Sequence, residues 1–194
     1  MPSILETITG ALTGNALQQV NKQLGTNDAS AQGAIAAALP VLLSALAKNA
    51  SSPEGAAKLG AALARDHDGS IFNDVAGAVT NHQAGPGASI LKHVLGARQD
   101  AVTTGLGQAT GLDAGKAGAL LSMLAPMVLG AVGRAQRSGG LDAGGLAAAL
   151  GQEDSRSGAP GGALGGLLGM LDTNHDGSVV DDVLGIAGKL FGKR

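Results

Sequence analysis

A chain of 194 residues can hold one large domain or two small ones, and here composition narrows the class further than length does. Glycine supplies 33 positions and aromatics 1%, Phe72 and Phe191, so a core must be assembled from Leu, Ile, Val, Met and Ala, a mixture that favours helix over sheet. A formal net charge of −2 gives no overall pull toward nucleic acid or anionic membrane, and the absence of Cys excludes disulfides, thiolate metal sites and a cysteine nucleophile.

The opening Met1-Pro2-Ser3-Ile4-Leu5-Glu6 has neither the basic start nor the sustained apolar stretch of an export signal, and a cytoplasmic location is expected. A first helix is predicted over Ser3–Leu12, amphipathic through Ile4, Leu5, Ile8 and Leu12. A second runs Asn15–Leu24 and stops at Gly25, suited to a left-handed C-cap. A long apolar helix spans Asp28–Lys48 with Pro40 inside it, and proline there predicts a kink or break, as does Pro126 further on. Ser52-Pro53-Glu54 starts a fourth helix that reaches about Arg65, and a short one is expected over Ile71–Val79. The longest uncharged runs, Ala29–Ala47 and Ala117–Gly133, carry Gly, Ser and proline and read as buried helix, which argues against a membrane span.

Displaced by 86 residues, the sequence falls on itself: Ile4-Leu5 on Ile90-Leu91, Gly25 on Gly111, Pro40-Val41-Leu42-Leu43 on Pro126-Met127-Val128-Leu129 and Lys48 on Arg134. This predicts a first helical unit over 1–83 and a second over 84–155, joined at Ala84-Gly85-Pro86-Gly87. The second unit's last helix should begin near Asp142 and fade by Leu150. A Gly/Ser/Pro-rich linker with a short apolar segment follows over 156–170. The last part, 171–194, holds a turn and a helix Val179–Phe191 whose Val179, Val180, Val183, Leu184, Ile186, Leu190 and Phe191 form an apolar stripe. The fold class expected is all-α: two duplicated helical units plus a C-terminal helix on a Gly-rich linker.

One turn occurs twice, as Asp66-His67-Asp68-Gly69-Ser70 and as Asn174-His175-Asp176-Gly177-Ser178. Numbered as a calcium loop from Asp172, the second copy offers oxygens of Asp172, Asn174 and Asp176 at alternate positions, Gly177 at the sharp turn and the Ser178 carbonyl after it. Val183 stands where a full loop needs its closing acid, so Asp181 and Asp182 would have to close a shorter one. In the first copy Ala64 replaces the leading acid, which leaves Asp66, Asp68 and Asp74 as ligands. The alternative is helix punctuation. Gly69 and Gly177 can take positive φ, Ser70 and Ser178 are favoured N-caps, and Asn73 or Asp181 three residues on resembles a capping box. Without matched partners, His67 and His175 read as solvent-facing side chains and not as zinc ligands.

No nucleophile elbow, His-Glu-x-x-His or phosphate-loop pattern occurs, Gly105-Leu106-Gly107 follows no strand, and Asp181 and Asp182 diverge on a helix; no catalytic residue is expected. Residues 90–140 set Lys92, Arg98, Lys116, Arg134 and Arg137 against Asp100 and Asp113, a scattered basic surplus without stacking aromatics that argues against nucleic-acid binding.

The opening Ile4-Leu5…Gly10, the run Ala38-Leu39-Pro40-Val41-Leu42-Leu43, the stretch Asn49–Ala56, Arg65-Asp66-His67-Asp68-Gly69-Ser70-Ile71 and Leu112-Asp113-Ala114-Gly115-Lys116 together resemble the bacterial domain of unknown function 937 family, related to the small YidB-like proteins. The resemblance implies a soluble, all-helical bacterial protein with no agreed activity, so no site residue carries over from it. The expectation is a non-enzymatic protein that self-assembles as a homo-oligomer or binds a protein partner. Calcium binding at the Asp-rich turn is the first alternative and nucleic-acid binding the second.

Overall fold

The structure, a computed structural model, describes residues 3–156, and among them there is helix and turn but no strand. Most helices start where a side chain supplies an acceptor for otherwise unpaired N–H groups; α2, α6 and α7, behind Gly14, Pro86 and Arg98, do not. α1 (Ile4–Ala11) opens with a capping box: Ser3 Oγ accepts from the Glu6 N–H at 3.0 Å, and Glu6 Oε2 accepts from the Ser3 N–H at 2.7 Å. α2 (Asn15–Leu24) closes on Gly25 at φ 62°, the left-handed cap expected there. α3 (Asp28–Asn49) starts under Asn27, whose side chain accepts from the Ser30 N–H. α4 (Pro53–Asp66) has Ser52 as cap and Pro53 first, where a missing N–H costs nothing.

Beyond α4 the single helix expected over Ile71–Val79 is divided. A 3-10 turn covers Ser70–Asn73, and α5 (Val75–Thr80) starts anew behind Asp74. Asp74 sits in extended backbone, φ −147°, and its Oδ1 accepts from the Gly77 N–H at 2.8 Å. The cap is therefore Asp74, not Ser70. α6 (Gly87–Leu95) follows the Gly-Pro-Gly joint, a short 3-10 turn spans Gly96–Arg98, and α7 (Gln99–Thr110) ends on Gly111 at φ 74°. α8 (Ala114–Gly139) begins under Asp113, which accepts from the Lys116 N–H at 2.8 Å. α9 (Ala143–Arg156) starts behind Asp142 and continues past Leu150, where it was expected to fade, because Leu146, Leu150 and the Glu153 stem stay buried along one face.

Neither proline breaks its helix: α3 runs on through Pro40 and α8 through Pro126. A helical proline orphans the carbonyl four residues back. For Pro40 that is Ala36, an exposed residue whose carbonyl water can serve. For Pro126 it is Ser122, and the chain answers with Gly87: a Cβ there would stand 2.0 Å from the Ser122 oxygen, so only glycine lets the joint lie on that carbonyl.

α8 is the axis of the molecule. It is buried over most of its length and packs against α1, α2, α3, α4, α6 and α7. α3, α6, α7 and α9 make a second group around α3, and one continuous core of Leu, Ile, Val, Met and Ala joins the two. Every Leu, Ile, Val, Met and Phe among the described residues is buried or half-buried. Both α3 and α8 are long and apolar enough to cross a membrane; of the most apolar 18-residue window, α8 buries 67% within the protein and α3 44%.

Candidate functional site

The repeated turn's first copy lies on α8, against the faces of Gly130, Gly133 and Arg134. Asp68 Oδ1 accepts from the Ser70 N–H at 2.8 Å, and this short loop bends the chain into the 3-10 turn. Gly69 takes φ 83°, as the sequence required. The chain then passes so close to α8 that a Cβ on Gly133 would lie 2.0 Å from the His67 carbonyl oxygen. Arg134 fixes the turn from above: its Nη2 donates to the Gly69 carbonyl at 3.0 Å, and its guanidinium stands 5.1 Å from the centre of the Phe72 ring. Arg137 Nη2 reaches the His67 carbonyl at 3.5 Å, the outer limit of a hydrogen bond.

Between this turn, the joint at residues 81–87 and α8 is a cavity of about 230 Å³, lined by Asp66, His67, Asp68, Ser70, Asn81, His82, Pro86, Ser122 and Pro126 among others. It is smaller than the roughly 300–1,000 Å³ of ordinary ligand pockets. His82 is 8% exposed and its Nδ1 lies 3.0 Å from the Val79 carbonyl oxygen. A carbonyl only accepts, so Nδ1 carries the proton and the neutral ring has its acceptor at Nε2. His67 is half-buried; burial lowers its pKa, partly opposed by the Asp66 charge. Ser122 Oγ donates to the Ala119 carbonyl at 2.9 Å. Among the described residues neither ring is hydrogen-bonded to a carboxylate or a serine, so the hydroxyl–imidazole–carboxylate relay of nucleophilic catalysis is not assembled here.

Asp66, Asp68 and Asp74, the sequence-derived calcium ligands of the first turn, each have a separate local task. Asp66 faces Arg65, whose Nη2 donates to Oδ2 at 2.7 Å; that hydrogen bond holds the carboxyl below its usual pKa. Asp68 is lowered likewise by its hydrogen bonds at Ser70. Asp74 caps α5. No group of three or more His, Asp or Glu side chains able to hold a metal occurs among the described residues. Asp172, Asn174, Asp176, Ser178 and Asp181, the ligand set expected of the second turn, lie outside the described residues, as does the expected C-terminal helix.

Sequence reasoning found the turn but missed its seat. Arg137 stood only as scattered basic charge, and Arg134 as that and as the repeat partner of Lys48. Gly130 and Gly133 went unremarked in a helix already rich in small residues. A signal was present: two glycines three apart, followed by the first charge in a long uncharged run, mark a helix face that another backbone approaches.

No curated protein and no solved structure matches this chain. A family model described as bacterial protein of unknown function (DUF937) matches residues 6–135, about two thirds of the sequence, from α1 through most of α8 and including the first turn with Gly130, Gly133 and Arg134. The chain therefore belongs to that bacterial family, DUF937.

Proposed function

We propose that this protein is a non-enzymatic, self-assembling interaction protein built on a duplicated helical unit. Support for the duplication comes from the caps and crossings of the helices. Asn27 and Asp113 start α3 and α8, Gly25 and Gly111 end α2 and α7, and Pro40 and Pro126 lie inside the long helices, each pair 86 residues apart. α1, α2 and α4 pack on α8 and their counterparts α6, α7 and α9 on α3, a crossing that a pseudo-twofold axis would produce, and α6 and α7 lie against α8 as well.

The observation that carries the assembly reading is an inequality between the two long helices. On α8 the Ser122, Gly130 and Gly133 positions are buried under the first turn and the joint. The counterparts on α3 are an exposed Ala36 and half-buried Ser44 and Ala47. The sequence also repeats the turn motif at Asn174–Ser178 and follows it with a stripe of apolar residues, while the described body leaves no large apolar side chain bare to receive it in an ordinary groove. A shallow small-residue face and a spare apolar sequence are complementary parts of a self-association surface.

The test is the mass in solution. Light scattering on a sizing column should give the full chain a multiple of the 18.7 kDa monomer, and a chain ending at Ser157 should run as a monomer with its helix content retained. A full chain that runs at 18.7 kDa, or a shortened chain that keeps the same number of subunits, would refute the reading. Calcium binding at the second turn gains no support from the first, where Asp68 and Asp74 already accept backbone N–H groups.

A further inference from the structure

We infer that the open face of α3 is the seat for the C-terminal segment, residues 174–187, of a second copy of this chain. The inference rests on the self-assembly reading and names its contact. Residues 66–79 and 174–187 correspond position by position: Asp68-Gly69-Ser70 with Asp176-Gly177-Ser178, Asp74-Val75 with Asp182-Val183, and Gly77 with Gly185. The groups that shape the first segment are thus present in the second. Asp68 bends the turn, Asp74 caps α5, and Val75 is buried beneath it.

The receiving surface is matched in the same way. The first segment lies on α8 through Gly130, Gly133 and Arg134. Displaced by the repeat, these positions are Ser44, Ala47 and Lys48 of α3: two small residues where backbone must approach closely, then a cation to take the turn's carbonyl. Lys48 is exposed, Ser44 and Ala47 half-buried. Among the described residues there is thus a filled seat, with its occupant, and a like seat that none of them fills.

Spacing selects the source of the occupant. In the first unit α4 ends at Asp66 and the turn follows with no spacer. In the second, the turns stand 108 residues apart where the repeat is 86, so 22 additional residues intervene, most of them in the Gly/Ser/Pro-rich stretch. A seat on the same chain would need no such extension; a seat on a neighbour would. An exchanged segment also gives each copy one donor and one acceptor, which suffices for a closed dimer or an open chain.

Cysteine cross-linking tests this on the full-length protein, which has no Cys of its own. A Cβ on Gly130 would stand 2.7 Å from Ile71 Cγ2, one bond from Ile71 Cβ, so on a like seat the corresponding pair, Ser44 and Val179, would come near the ~4 Å Cβ separation of a disulfide. Full-length Ser44→Cys and a size-tagged Val179→Cys are mixed and mildly oxidised. The mixed dimer should exceed either like-with-like dimer by at least tenfold. Lys48→Cys with Val180→Cys, the counterpart of the Arg134–Phe72 contact, should behave the same way, and circular dichroism checks that each variant is folded. No excess of mixed dimer from either pair overturns the seat. A double variant that cross-links only within one chain overturns the exchange. Light scattering on the unaltered chain separates the two proposals: an oligomer without mixed cross-links removes the seat and leaves assembly standing, and a monomer removes both.

Discussion

His67 sits half-buried beside Asp66 with burial the larger influence, so its folded pKa lies below the ordinary value of about 6.5. The native state then binds fewer protons than the unfolded chain as pH falls through about 6.5, and the turn's stability declines from there downward. Asp66 and Asp68, both held below the usual carboxylate range, act in the same direction at lower pH, losing their contribution as they protonate below about 3.9. Proton NMR should place the His67 midpoint below the free-histidine value, and Asp66→Asn should lower it further by removing the opposing charge. A midpoint above 6.5 would contradict the burial seen here. Arg134→Ala should cost about 1 kcal/mol, since it removes one charge-assisted hydrogen bond and one cation–ring contact near the surface. At this scale the turn was legible because Asp, Gly and Ser act on their immediate backbone. Its seat was not, because Arg134 meets Gly69 across 65 residues of chain.

Helix boundaries followed the same division. The end of α2 and the capped start of α4 were readable from Gly25 and Ser52-Pro53, whose effects are confined to one turn, whereas the cap of α3, Asn27, was not singled out. The division of the segment after Gly69 was misread because two residues competed for the cap, and Asp74 prevailed where Ser70 was expected. Replacing Asp74 by Ala should cost about 1 kcal/mol, with faster amide exchange confined to α5. The survival of α3 and α8 through their prolines depended on what lies beside the orphaned carbonyl, which no local rule contains. Gly133→Ala addresses the close approach on α8. Its new methyl meets the His67 carbonyl, and urea unfolding should show a loss of roughly 1–3 kcal/mol. Leu124→Ala in the adjacent core leaves a cavity and should cost about 2–5 kcal/mol. If Gly133→Ala proved neutral, the contact between turn and helix would be looser than described.

For the whole molecule, the all-α class was legible from composition: few aromatics, few β-branched runs and abundant Ala and Leu leave helix packing as the way to bury a core. How the helices cross was not, since periodicity states which face is apolar and not which partner covers it. The calcium question belongs at this scale too, because the second turn's ligands can be judged only with the chain around them. A calcium titration followed by calorimetry should give no saturable heat at millimolar metal. An isotherm abolished by Asp176→Ala would assign that turn to metal instead of helix punctuation.

The crossing of helices also bears on how the chain comes to be made. α1 finds its partner in α8, more than a hundred positions later in the chain, and α3 gains α9 only near residue 150. A ribosome adding about 5–20 residues per second therefore presents α1 and the oily flank of α3 to the surroundings for several seconds before either can be covered. During that interval the nascent chain is a substrate for holding chaperones, and slowing translation after α7 should lengthen its dependence on them.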